Sequence, residues 1–260
     1  MLVDTAKNAK HKAQLLARIQ RLYAVMEEPM TLGPLNVRFT RVADPNRVLD
    51  DVAREEDRRE KATGKRKRED ELHLPYWAEL WESSIAVASY VARHWAHCGP
   101  EDSGISRLAR QATFAKKQVK VMDLGCGMGL AGAAAARLGA QVLFADLEPP
   151  ALLFARYNSL HAPGRCRARK VNWQSDRLEE TFDLILGADI VYDRSQWVFL
   201  EPFFQKHLTP GGMVLLGEPG RSSGEEFEPW IRARGWQLRR VMQKLPGREL
   251  GIRLMELERA

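Results

Sequence analysis

The sequence is poor in the residues that build covalent or metal scaffolds. It holds three cysteines in 260 residues, Cys98, Cys126 and Cys166. They are widely spaced and form no C-x-x-C pair, which argues against a disulfide framework and suggests no metal site. Long hydrophobic runs are also missing, so no segment reaches the ~20 apolar residues of a membrane helix. The N-terminus lacks the apolar core of a secretory signal. No internal repeat is visible. These absences point to the cytoplasm and to no membrane partner.

What is present is a chain of ordinary apolar content, 45%, carrying a formal charge of +6. Its length suits one sizeable core with an appendage. Basic residues cluster at Lys65-Arg66-Lys67-Arg68, at Arg165, Arg167, Arg169 and Lys170, and at Arg232, Arg234, Arg239 and Arg240. Such clusters suit RNA or an acidic protein surface. A solvated face is the simpler reading, because Glu55, Glu56, Asp57, Glu60, Glu69 and Asp70 interrupt the first of them.

Residues 1–73 read as an N-terminal extension. Leu15, Ile19, Leu22 and Met26 recur at helical spacing, which predicts a helix over 4–28 that docks on the core. Gly33-Pro34 breaks it. Leu35 to Val42 alternates as a short strand, half of a hairpin with residues 30–32. Residues 47–71 are a charged helix or loop. Residues 74–260 read as the second unit. Leu74 to Trp95 is rich in aromatic and small residues and predicts a packed helix. A polar linker over 98–117 carries a short helix at 106–114.

From Val119 onward strands alternate with helices. Strands are expected near 119–123, 141–146, 166–171, 182–188, 212–217, 236–243 and 250–258, and helices near 130–138, 149–160, 195–207 and 224–234. This predicts an α/β fold with a Rossmann-like, doubly wound sheet of seven strands, mainly parallel. The last two strands, joined by a turn at Pro246-Gly247, should pair antiparallel.

The segment Val121–Leu130, VMDLGCGMGL, carries the chemistry. An apolar strand ends at Asp123, and Gly125, Gly127 and Gly129 follow at every second position before a small-residue helix. Glycines there let the backbone approach a ligand at a helix N-terminus. Gly127, Gly129 and Gly132 also satisfy G-x-G-x-x-G, with Asp146 at the distance of a nicotinamide-ribose ligand. Asp123 discriminates: an acid before the glycines suits a ligand bearing an amine and repels a pyrophosphate.

In open α/β sheets, ligands sit beyond the carboxyl ends of the strands. Those ends supply Asp123, then Asp146, able to accept from a ribose diol. Next come Asn172 and Trp173, suited to an adenine edge and face. Ala188 and Asp189 follow, with Tyr192 just beyond, and the fifth strand ends in Glu218-Pro219-Gly220-Arg221. Asp189 is hard to explain as structure alone, because a charge beside an apolar strand end needs a partner.

The glycine loop resembles motif I of the class I S-adenosylmethionine (SAM) methyltransferases. PYWAELW at 75–81, LGCGMGL, the Asp146-Leu147 step, Asn172-Trp173 and ADIVY at 188–192 together resemble one branch of that fold. It is the seven-β-strand protein-lysine methyltransferases of the methyltransferase-like 21 and electron transfer flavoprotein β-subunit types, with their D-x-x-Y signature. GEPGR at 217–221 is similar to G-D-P-G-R in the second type. The resemblance covers about residues 74–258. It implies SAM contacts from Trp81, Gly125, Cys126, Gly127, Asp146, Trp173 and Ala188, with Asp189 and Tyr192 facing the methyl-accepting amine. Gly129, Leu147 and Asn172 complete the expected cofactor set with Asp123. Met128, Asn172, Gln174 and Glu82 depart from the usual residues of that pattern. The expected activity is N-methylation of a protein lysine. A small-molecule amine is the second reading, followed by RNA, for which the N-P-P-Y signature is absent, and by a non-catalytic SAM-binding module.

Overall fold

The computed structural model describes residues 2–64, 74–96 and 103–260. The Lys65–Arg68 cluster and Cys98 lie outside the described residues. Helix α1 (Leu2–Gln20) buries Leu15 and Ile19 and ends where the chain turns at 21–22. Strands β1 (Val25–Leu32) and β2 (Leu35–Val42) follow as an antiparallel hairpin, paired from Val25↔Val42 to Leu32↔Leu35. The helix expected over 4–28 is therefore too long. Leu22 is 67% exposed, and Met26 belongs to β1. The helical spacing of those two residues was coincidental, and Pro29 has no amide to continue a helix.

Helix α2 (Pro45–Thr63) is capped by Asp44, which accepts from the Arg47 amide, and stops at left-handed Gly64. It has no buried residue. A 3-10 turn at Tyr76–Ala78 leads into α3 (Glu82–Ala96) and α4 (Gly104–Phe114).

The sheet region then alternates: β3 (Lys120–Leu124), α5 (Leu130–Arg137), β4 (Gln141–Asp146), α6 (Pro149–Asn158), β5 (Cys166–Lys170) and β6 (Phe182–Ala188). It continues through α7 (Arg194–His207), β7 (Leu208–Glu218), α8 (Ser222–Arg232), β8 (Trp236–Gln243) and β9 (Ile252–Arg259). The strand order is β5-β4-β3-β6-β7-β9-β8. All pairs from β5 to β7 are parallel, while β9 runs antiparallel to β7 and β8. The expected seven-stranded sheet and its antiparallel closing pair are both present.

The central strands are apolar along most of their length because helices cover both faces. On β4, Val142 and Phe144 join the core beneath α3, α4 and α5, while Leu143 and Ala145 join the core beneath α7 and α8. Helix α5 is nearly all alanine and glycine and is buried from Leu130 to Ala136. A third core ties the extension to this domain. Leu15, Ile19, Leu32, Val37, Phe39 and Val42 pack with Trp77, Met128, Phe154 and Tyr157. The chain passes from β3 outward to β5 and returns to β6 on the other side of β3, so the switch point lies at the carboxyl ends of β3 and β6.

Candidate functional site

The glycine loop joins β3 to α5 at that switch point. Gly125, Gly127 and Gly129 adopt φ of +63°, +52° and +85°. This left-handed path is the first reason for glycine there. Packing is the second: a Cβ at Gly129 would lie 2.6 Å from that of Ala155, and one at Gly125 would lie 2.8 Å from Ile190 Cγ2. Gly125, Cys126, Gly127, Gly129, Asp123, Ala188 and Trp81 line one cleft of about 380 Å³, part of it open to solvent.

Asp123 is buried, and its Oδ2 accepts from the Gly132 amide at 2.8 Å, inside the first turn of α5. Burial pushes its carboxyl up to about 7, opposed by that amide and aided by the nearby Asp146 charge. Asp146 does not stand free at the end of β4. Its Oδ2 accepts from the Gly127 amide at 2.8 Å and its Oδ1 from the Glu148 amide at 2.9 Å. It thus holds the glycine loop, and burial raises its carboxyl to about 6 despite those two amides. The Leu147 amide also acts on that carboxyl, and since a carboxylate has about four lone-pair sites, at least one remains for a ligand.

Leu147 and Asn172 are half-buried beyond the ends of β4 and β5. Asn172 Oδ1 accepts from the Gln174 amide at 3.0 Å, so its carbonyl shapes the turn rather than standing free. Trp173 lies against Gly125, 3.6 Å from where a Cβ there would stand, and its Nε1 donates to Gln196 Oε1 at 3.1 Å. Cys126 is a buried thiol whose pKa is raised, chiefly by burial.

At the end of β6, Asp189 is 8% exposed and takes φ +58°, with its amide donating to Gly217 O at 2.8 Å. A left-handed aspartate is uncommon and is held here by its surroundings. Its partner is Arg221, Nη1 to Oδ1 at 3.0 Å and Nη2 to Oδ2 at 3.1 Å. Burial raises the Asp189 carboxyl, Arg221 lowers it and Glu218 raises it. Tyr192 is 48% exposed at the rim, edge-on to Tyr76. Tyr76 in turn meets Trp81 edge-on and accepts from its Nε1 through the backbone carbonyl. Arg221 lies over the Trp81 ring at 5.6 Å. Asp189, Arg221, Trp81, Tyr76 and Tyr192 therefore form a continuous wall.

Sequence reasoning noted Glu218 and Arg221 only as strand-end residues without a particular role, and gave none to Tyr76, Phe39 or Asn158. GEPGR was a readable signal: Glu218 Oε2 accepts from the amides of Gly220 and Arg221 and so aims the arginine. Phe39, from β2, lines the cleft. Asn158 clasps this hairpin, accepting from the Thr40 amide and donating to the carbonyls of Thr40 and Met128. The extension thus reaches the glycine loop itself. The third basic cluster is largely paired internally, Arg232 and Arg240 with Glu228 and Arg239 with Glu256. Among the described residues no helix is long and apolar enough to cross a membrane.

This strand order, with a left-handed glycine loop at the carboxyl edge of β3, defines a Rossmann-like methyltransferase fold. The glycopeptide N-methyltransferase MtfA, solved with S-adenosylhomocysteine, shares it with a TM-score of 0.50 at 15% identity, over 62% of this chain and 91% of that one. Within that class, the family model described as lysine methyltransferase matches residues 68–227, and the chain belongs to that family. The electron transfer flavoprotein beta subunit lysine methyltransferase of Danio rerio is 32% identical over 58% of this chain and 53% of its own length. Protein N-lysine methyltransferase METTL21A of Xenopus tropicalis is 33% identical over 57% of this chain and 63% of its own. The chain thus spans little more than half the length of these relatives.

Proposed function

We propose that this protein transfers a methyl group from SAM to the ε-amino group of a lysine on a protein substrate. The observation that carries the proposal is the cleft at the switch point, lined by the glycine loop and the buried Asp123, with the buried Asp189 next in sequence to its lining residue Ala188. Family membership and the names of the relatives favour lysine as the acceptor. The donor set fits SAM: Asp123 faces an amine, Asp146 has at least one lone pair left for a diol, and Trp173 presents an indole beside Gly125. Trp81, Gly125, Cys126, Gly127, Gly129, Leu147, Asn172 and Ala188 complete the cofactor surface in this reading.

When bound, SAM supplies an electrophilic methyl on a sulfonium. The protein's own part is positioning and charge. Aligning the acceptor is worth on the order of 7–11 kcal/mol. A lysine starts with a pKa of about 10.4, so presenting it neutral at pH 7 costs roughly 5 kcal/mol. Asp189 is ion-paired and acts as a hydrogen-bond acceptor that aims the nitrogen, with water carrying the proton away. Tyr192 and Tyr76 flank the entering side chain. Internal pairing of the third basic cluster weakens the case for RNA. Residence in the cytoplasm is part of the proposal and rests on cysteine usage.

The test is incubation with methyl-labelled SAM and a cell lysate, then separate protease and nuclease treatment. Protease-sensitive label is expected. Label released only by nuclease, or found only in small molecules, refutes the protein acceptor.

A further inference from the structure

Arg221 is built into the acceptor wall from three sides. Its amide is fixed by Glu218 Oε2 at 2.8 Å, its guanidinium forks onto both oxygens of Asp189, and its face lies over Trp81. The Glu218 charge is answered by Arg253, Nη1 to Oε1 at 2.9 Å, and Arg253 Nη2 also meets Glu225 at 2.7 Å. Arg221 is the cation in direct contact with Asp189, while the Glu218 charge still acts on that carboxyl in the opposite sense. The charged and titratable groups around Asp189 are thus Glu218 at the end of β7, Arg221 in the turn after it, and Tyr192 from its own turn. Tyr76 and Asp193 lie beside Tyr192.

A bare carboxylate at Asp189 would work against the chemistry. It would hold a proton on the acceptor nitrogen, because a nearby negative charge favours an ammonium. The fork uses one lone pair on each oxygen, so the outer lone pairs stay open to an N–H. We propose that Arg221 is a positioning residue for methyl transfer: its fork fixes Asp189 toward the acceptor nitrogen, and its charge cancels that of Asp189 so that the nitrogen is bound neutral. This inference rests on the amine-methylation reading above. It goes beyond that reading by assigning the pH dependence of the reaction to one residue.

The experiment compares wild type, Arg221→Met and Arg221→Lys in single-turnover transfer from labelled SAM to heat-treated lysate protein across pH 6–10. Arg221→Met should lose about tenfold in rate at pH 7 and recover as pH rises, its profile displaced by about one pH unit toward alkali. Arg221→Lys keeps the charge and loses the fork, so its profile should stay near wild type on a lower plateau. A second arm needs no acceptor. The Asp189 carboxyl, assigned in a ¹³C spectrum by its loss in Asp189→Asn, should titrate higher in Arg221→Met than in wild type. A uniform drop for Arg221→Met at every pH would overturn the proposal, as would faster transfer at pH 7, which would make Arg221 a plug. If wild type labels no protein, the protein-acceptor reading itself fails. An unchanged Asp189 titration in Arg221→Met would then still overturn the Arg221 proposal by itself.

Discussion

Replacing Asp123 with asparagine separates what the fold wants from what the ligand wants. Asp123 is 2% exposed, and its Oδ2 accepts from the Gly132 amide, a bond that an asparagine carbonyl can also accept. Burial lifts its pKa from 3.8 to about 7, so at pH 8 the ionised group opposes folding by up to roughly 4 kcal/mol. The folded pKa lies above the unfolded one. The stabilisation therefore belongs to the protonated form, is complete below about pH 4, and is lost as pH rises through about 7. Without cofactor, Asp123→Asn should match wild type only at about pH 4 and below, and be more stable by about 1–4 kcal/mol at pH 8. Asp146, raised in the same direction, remains in both proteins, so the difference between them reports Asp123 and its coupling to Asp146. SAM affinity should fall about ten- to a hundredfold, as expected for one lost charge-assisted bond of roughly 1.5–3 kcal/mol. Urea unfolding at both pH values and calorimetry measure the two effects. A variant less stable than wild type at pH 8, or one that binds SAM normally, refutes the assignment of Asp123 to an amine.

Three further outcomes follow from the geometry. Asn158→Ala removes the clasp between the hairpin, the Met128 carbonyl and α6, and should lower stability by about 1–3 kcal/mol. It should also weaken SAM binding measurably, and unchanged affinity in a destabilised variant would mean the hairpin only packs. Asp189→Asn should leave SAM affinity within a few-fold while single-turnover transfer falls by orders of magnitude; near-normal transfer would argue for an acceptor that is not an amine. Tyr192→Phe should be milder, because this exposed phenol loses only its hydroxyl, and a loss as large as that of Asp189→Asn would give Tyr192 the dominant role.

The parts of the site that sit within one short segment were legible in the sequence. Gly125, Gly127 and Gly129 announce a left-handed turn, and the apolar runs of β3, β4 and β6 announce a sheet covered on both faces. Pairings between distant segments were not legible. Arg221 and Asp189 are 32 positions apart and meet only because β6 and β7 are neighbours in the sheet. Asn158 and Thr40 are 118 apart, so the contact of the extension with the glycine loop leaves no local trace. Asp146 was readable as an acid at a strand end, but its bonds to the Gly127 and Glu148 amides depend on the path of the following turn. The end of α1 was misplaced because a hydrophobic spacing that suits a helix continued by chance into an exposed turn residue, Leu22, and an exposed strand residue, Met26.

The central claim is that the acceptor is a lysine nitrogen on a protein. The most direct measurement is total hydrolysis of the labelled protein fraction after reaction with methyl-labelled SAM, with the amino acids resolved by chromatography. The account predicts label in N-methylated lysine, absent when Asp189→Asn replaces the wild-type enzyme. Label in another amino acid, or methyl-lysine formed equally by the Asp189→Asn enzyme, would contradict it.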